Sequence, residues 1–194
     1  MEPTEIVGGT SIPRAGSGPI APRVLGIDPG LNTTGYGVLE LAVGGPKLCE
    51  AGIVRGRDRR SLTARVAELF EGVADVIDQL KPCAMALEQL YSHYQRPRTA
   101  ILMGHARGVI CLAAARAGVP VISYSATQVK KALTGNGRAK KDQMQRAVQL
   151  ELKLKQLPEP PDVADALAIA LCHYYRQPQW AALARRRGPS SAER

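Results

Sequence analysis

Three short apolar runs, Val24 to Ile27, Gly35 to Leu41 and Leu48 to Val54, follow one another with little but turn residues between them. Gly44-Gly45-Pro46 marks a hairpin between the second and third. Strands this close in sequence pair antiparallel, because a parallel neighbour needs a crossover of about a dozen residues or more. At Ser61 the apolar period changes. Leu62, Val66, Leu69, Phe70, Val73, Val76, Ile77 and Leu80 recur at steps of three and four, the stripe of an amphipathic helix. Beyond it, strands and helices alternate. Cys83 to Leu87 is a short strand that finishes at Glu88, and Arg98 to Ala117 is a helix closed by Gly118 in a left-handed cap. Val119 to Ser123 is a strand, and Thr127 to Leu133 and Lys140 to Lys155 are helices parted by Gly135-Asn136-Gly137. Pro158, Pro160 and Pro161 lead into a last helix, Asp162 to Tyr175. A strand meander followed by alternating helices and strands predicts an α/β fold, a mixed sheet with helices on both faces.

At 194 residues the chain suits one domain. Residues 1–22 are rich in Gly, Pro and Ser without periodicity and read as a disordered leader; residues 23–177 form the domain; residues 178–194 read as a basic, flexible tail. The net charge is +9, of which the leader contributes −1 and residues 181–194 contribute +3, so +7 belongs to the body. That excess points to a polyanionic partner. Cys49, Cys83, Cys111 and Cys172 show no metal-ligand spacing and read as buried thiols of a cytoplasmic protein. No apolar run is long enough for a membrane span.

Against this basic background stand four placed acids. Asp28 and Glu88 each end an apolar strand, where open α/β sheets carry their functional groups. Asp162 and Asp165 are three apart at the start of the last helix and so share a face near its positive end. Individually, Asp28 before Pro29-Gly30 also reads as turn chemistry, Asp162 as a first-turn helix acid and Asp165 as a solvated polar residue. Together they read as one cluster. Two carboxylates about 4 Å apart repel by roughly 4 kcal/mol at an effective dielectric of 20, so such a cluster needs cations or protons. Ligation by oxygen alone selects Mg²⁺ or Mn²⁺, and a pair of such ions cleaves phosphodiesters. His173, about 12 Å along the helix from Asp165, is not read as a ligand. Gly104 and Gly108, one turn apart, permit close backbone approach, to the sheet in the favoured reading or else to a symmetry mate.

The segments LGIDPGLNTTGYGV, ALEQLY, GHARGVI, QVKKALTGNGRAKKDQM and DVADALAIALCH, in this order and spacing, resemble the RuvC family of Holliday-junction resolvases, the crossover junction endodeoxyribonucleases, over about residues 23–176. The resemblance implies a ribonuclease H-like fold with a five-stranded mixed sheet, a homodimer, and Mg²⁺-dependent paired nicks across four-way junction DNA in recombination and repair. Two Mg²⁺ per site are implied, with Mn²⁺ able to substitute. Carried over by motif, the catalytic and metal-binding acids are Asp28, Glu88, Asp162 and Asp165. Tyr91 takes the place of an aromatic that stacks on an unpaired base; shielding of the core is the other reading of that ring. The basic DNA-contacting positions are Lys130 and Lys141, with Lys131, Arg138 and Lys140 as neighbours, and Arg96 and Arg98 in a basic, aromatic segment that departs from the family pattern. The glycines at 135 and 137 would expose backbone amides to phosphate beside these lysines. The RuvA–RuvB branch-migration complex is the implied further partner.

Other readings stand beside this one. Gly26-Ile27-Asp28-Pro29-Gly30 followed by Thr33-Thr34 also resembles the first phosphate loop of the actin and sugar-kinase superfamily. A junction-binding protein without catalysis, and a nuclease acting on single strands or RNA, are the remaining alternatives.

Overall fold

The computed structural model describes residues 21–42, 44–56, 61–89 and 97–177. The expected leader (apart from Ala21 and Pro22) and the expected tail lie outside these residues, as do Tyr91 and Arg96. Pro22 is already part of the sheet's hydrogen bonding, its carbonyl accepting from the Leu41 amide at 2.8 Å.

The three opening runs form β1 (Arg23–Asp28), β2 (Thr33–Ala42) and β3 (Gly45–Arg55). They pair antiparallel, with Gly44 and Gly45 at positive φ in the hairpin. β4 (Ala84–Glu88) lies parallel to β1 and β5 (Val121–Tyr124) parallel to β4, giving the order β3-β2-β1-β4-β5. The helices are α1 (Leu62–Leu80), α2 (Pro97–Arg116), α3 (Ala126–Thr134), α4 (Lys141–Glu151) and α5 (Pro161–Arg176). α1 starts on Ser61, whose hydroxyl accepts from the Ala64 amide, and α3 starts on a capping box between Ser125 and Gln128.

Strand alternation divides the interior into two layers. Leu25 and Ile27 of β1 and Met85 and Leu87 of β4 face α1 and α2, where they pack with Leu69, Val73, Ile77, Ala106 and Ile110. Each is fully buried, and such burial stabilises by roughly 1.5–3 kcal/mol per side chain. Val24, Ala84 and Ala86 face the other way, into the layer formed by α5 with Met144 and Val148 of α4. The same alternation assigns Asp28 and Glu88 to the α5 side.

α5 is buried at every position from Ala166 to Tyr174. It lies directly on β1 and β2 because Gly26, Gly35 and Gly37 put no side chain between it and the strands. A Cβ on Gly26 would stand 2.2 Å from the Ala166 carbonyl oxygen, one on Gly37 2.5 Å from Leu167 Cδ2, and one on Gly35 2.1 Å from the Asp162 carbonyl oxygen. Gly26 and Gly37 are register partners, and Gly35 is the partner of Asp28.

Several boundaries and faces differ from the sequence expectation. α4 ends at Glu151, because Lys153 turns left-handed at φ 51° and the amides of Leu152 to Leu154 bond back to the last turn. β5 begins at Val121 because the Val119 amide caps α2 through the Ala114 carbonyl, with Gly118 left-handed at φ 69°, and Pro120 has no amide to contribute. Gly104 and Gly108 do not pack on the sheet: a Cβ on either would meet nothing within 4 Å. They share an outward face of α2 with Ile101 and Leu112, which are 62% and 53% exposed, while Ala106, Ile110 and Ala113 hold the inward face. Only Cys172 is fully buried; Cys49 and Cys111 are half-buried, and Cys83 is exposed because it precedes the first laddered residue of β4. Among the described residues no helix is long and apolar enough to cross a membrane.

Candidate active site

At the carboxyl end of β1 the chain must turn sharply and hold Asp28 still. Thr34, fully buried, does this with one hydroxyl: Oγ1 donates to the Gly30 carbonyl at 2.6 Å and accepts from the Gly30 amide at 3.2 Å. Thr34 is thereby used within the turn, as Gly30 is, where a Cβ would meet the Thr33 carbonyl oxygen at 2.2 Å. The glycines around Asp28 thus make room for α5 and for the turn.

Asp28, Glu88 and Asp165 line one cavity of about 240 Å³ with Lys130, over a floor that includes Val129, Met144 and Ile169. Register brings the first two together, since Ile27 pairs with Leu87 and each acid is the next residue of its strand. The third comes from α5, whose close seating on Gly35 and Gly26 lowers it onto the sheet. Asp162 does not line the cavity, but its charge reaches Asp28.

Crowding shows in the protonation of the acids. Burial, then the charges of Glu88, Asp165 and Asp162, push the Asp28 carboxyl up to about 8, against a smaller downward pull from Lys141. Burial and the Asp165 charge raise Glu88 as well, countered by a hydrogen bond from Asp28 and by Lys130. The repulsion is countered in two ways. The raised Asp28 carboxyl favours its neutral form, and Lys141 Nζ stands 3.4 Å from Asp165 Oδ2 as an ion pair.

A hard cation fits this donor set. The carboxylates are oxygen donors from three separate elements facing a cavity with room for ions, and the raised Asp28 carboxyl and the Lys141 ammonium mark where positive charge is favoured. Among the described residues no group of three or more His, Cys, Asp or Glu side chains stands as a ready-made metal site. His173 takes no part: it is buried in α5 and its Nδ1 shares a hydrogen bond with the Tyr124 hydroxyl at 2.9 Å. A larger depression of about 530 Å³ between the ends of α1 and α2 contains one acid, Asp78, which is paired with Lys81.

The five basic residues expected on α3, α4 and their connection divide in two. Lys130 lines the acid cleft and Lys141, though exposed, reaches its edge through the ion pair with Asp165, whereas Lys131, Arg138 and Lys140 are exposed without such a contact to the acids. The connecting loop offers fewer free amides than expected. Those of Gly135, Asn136, Arg138 and Ala139 bond to Lys131 O, Thr134 Oγ1, Asn136 Oδ1 and Asn136 O, which leaves side-chain charge as the main means of meeting phosphate. Arg98 lies in the first turn of α2, its side chain outside the described residues.

Sequence reasoning missed Arg107. Its guanidinium donates to the Glu88 backbone carbonyl and, through the other terminal nitrogen, to Ser123 Oγ at 2.6 Å. The available signal was the one arginine in the run from Ala100 to Ala115, whose other residues are apolar or glycine apart from His105.

Residues 24–173 match the family described as Crossover junction endodeoxyribonuclease RuvC. A protein of that name from Rhodopirellula baltica is 59% identical over 154 residues, covering 78% of this chain and 85% of the relative. The structure of Thermus thermophilus RuvC in complex with a Holliday junction substrate superposes with a TM-score of 0.71 at 35% identity, over 79% of this chain and 93% of that one. The yeast mitochondrial Holliday junction resolvase Ydc2, at 16% identity and a TM-score of 0.58 over 85% of this chain and 82% of that one, shares the ribonuclease H-like fold. With a match from β1 into α5 and an identity this high across the acid-bearing elements, the chain belongs to the RuvC family of crossover junction endodeoxyribonucleases.

Proposed function

We propose that this member of the family resolves Holliday junctions with Asp28, Glu88, Asp162 and Asp165 as its metal-holding acids. The observation that carries the assignment is the shared cavity of Asp28, Glu88 and Asp165, crowded enough to push Asp28 up to about 8 and flanked by two lysines. Two Mg²⁺ ions, or Mn²⁺, would supply there a polarised water and positive charge opposite the leaving 3′ oxygen. The residues of the chain do the rest. Lys141 and Lys130 place ammonium charge at the cleft mouth, where a phosphodiester must pass, and Lys131, Arg138 and Lys140 extend that charge outward for a duplex arm. The apolar floor of Val129, Met144 and Ile169 lowers the local dielectric beneath the half-buried acids and strengthens their interactions.

Paired nicks in strands of like polarity need two identical sites related by a twofold axis, and one chain carries one acid cluster. The outward face of α2, with Ile101, Gly104, Gly108 and Leu112 uncovered, supports a homodimer: two glycines one turn apart admit a second helix closely, and two large apolar side chains flank them. By family resemblance, delivery of the junction by the RuvA–RuvB complex in the cytoplasm completes the proposal.

The test is a synthetic four-way junction incubated with protein with and without Mg²⁺, beside duplex and single-stranded controls. Asp28→Asn should abolish cleavage and retain junction binding. Retained cleavage refutes the assignment of Asp28. Ile101→Glu should convert the dimer to monomer in sedimentation, and an unchanged sedimentation coefficient refutes the α2 interface.

A further inference from the structure

Glu88 is the last residue of β4, and a carboxylate at a strand end is only as well placed as the backbone that carries it. On the β5 side that backbone is held by the next ladder bond, from the Gln89 amide to the Tyr124 carbonyl at 2.8 Å. The Glu88 carbonyl itself is held by a side chain, the guanidinium of Arg107 reaching across from α2. The other arm of the same guanidinium is bonded to Ser123 of β5. One planar group therefore joins the ends of two neighbouring strands to the helix that covers them, and that helix is fixed by Ala106 and Ile110, both fully buried against the sheet on either side of Arg107.

A fork with two donor nitrogens in a fixed plane can satisfy a carbonyl and a hydroxyl on separate strands at once. An ammonium, a point donor on a flexible stem, cannot hold both at the same geometry. The partners of Arg107 are a neutral carbonyl and a neutral hydroxyl, so this guanidinium acts as a brace on the backbone and leaves the Glu88 carboxylate free for other ligands. Outer groups that orient a ligand set its affinity for metal, commonly by factors of about 10 to 100.

We propose that Arg107, together with Ser123, is a positioning residue that holds the Glu88 carboxylate at the metal site. This inference rests on the reading of Glu88 as a metal ligand given above. The measurement is Mn²⁺ binding to the DNA-free protein, followed by loss of the free-ion paramagnetic resonance signal, together with the Mg²⁺ dependence of junction cleavage. Arg107→Met should weaken Mn²⁺ binding about tenfold. It should also raise the Mg²⁺ concentration for half-maximal cleavage by a similar factor, with a smaller fall in rate at saturating Mg²⁺. Arg107→Lys, which can keep one of the two bonds, should restore part of the affinity. Ser123→Ala removes only the second anchor and should give a loss between wild type and Arg107→Met; it carries the test if Arg107→Met does not fold. Mn²⁺ affinity equal to wild type in the folded variants overturns the proposal, as does a cleavage defect that tracks only the folded fraction and leaves the Mg²⁺ midpoint unmoved. Glu88→Gln separates the two levels: if it binds Mn²⁺ like wild type, the reading of Glu88 has failed, whereas a defect there beside normal Arg107 variants sinks the Arg107 proposal alone.

Discussion

Replacing Asp28 with asparagine should make the metal-free protein more stable at alkaline pH while destroying its activity. The sign follows from the crowding. A carboxyl whose folded value is raised from 3.8 to about 8 binds a proton in the folded chain that the unfolded chain has already released. Its contribution is complete below the unfolded value, declines as pH rises through the window between the two, and is lost above the folded value. The slope is at most about 1.4 kcal/mol per pH unit, so the wild type should lose about 4 kcal/mol between pH 5 and pH 8 from this group alone. Asparagine does not titrate, keeps the shape of the side chain and can donate to Glu88 as the protonated acid does. Urea unfolding in EDTA at pH 5, 6, 7, 8 and 9 gives the difference between variant and wild type directly. The shared titrations of other groups, including the buried His173 whose burial lowers its value, largely cancel in that difference. The gap should widen by about 4 kcal/mol between pH 5 and pH 8, which is roughly 10 °C in melting temperature for a chain of this size, and change little above that. Millimolar Mg²⁺ should narrow it at pH 8. Parallel pH curves for the two proteins would refute the claim that Asp28 sits among like charges.

Three further substitutions address neighbouring parts of the same arrangement. Gly35→Ala would drive a methyl group against the Asp162 backbone, so it should cost at least about 1–3 kcal/mol in chemical denaturation and reduce cleavage more than junction binding. Thr34→Val leaves the Gly30 amide and carbonyl without their buried partner and should cost about 1–3 kcal/mol, measured by the same unfolding curves. Lys141→Ala removes the ion-pair partner of Asp165 and the one cation that pulls Asp28 down. It should raise the pH needed for Mg²⁺ to support cleavage and, if Lys141 meets a phosphate, lower the salt slope of junction binding by about one.

The parts of this molecule that were legible in its sequence are those written in local periodicity. The stripe from Leu62 to Leu80 announces α1, and the position of Asp28 and Glu88 at the ends of apolar runs announces where acids meet on a sheet. What was not legible depends on partners distant in the chain. The role of Gly26, Gly35 and Gly37 could not be read, because a missing side chain leaves no mark of what fills its place, and here it is α5. Gly104 and Gly108 were ambiguous for the same reason, since glycine carries no polarity to say which face is inward. Arg107 was hidden because its partners are a backbone carbonyl and a serine, neither of which has a complementary charge to search for. The loop at Gly135 to Gly137 misled in the opposite direction: its composition suggested free amides, but Thr134 and Asn136 supply acceptors that composition alone does not connect to them.

Seating α5 flush on bare backbone has an effect on how the enzyme can move. A helix enclosed on nearly every side cannot peel away without dismantling the layers above and below it, so two of the four acids ride on the part of the chain with least freedom to open locally. Amide exchange from Ala166 to Leu171 should therefore proceed only through complete unfolding. Any adjustment to a junction must fall to α3, α4 and the lysines they carry, leaving the acid cleft as the fixed anvil against which DNA is fitted.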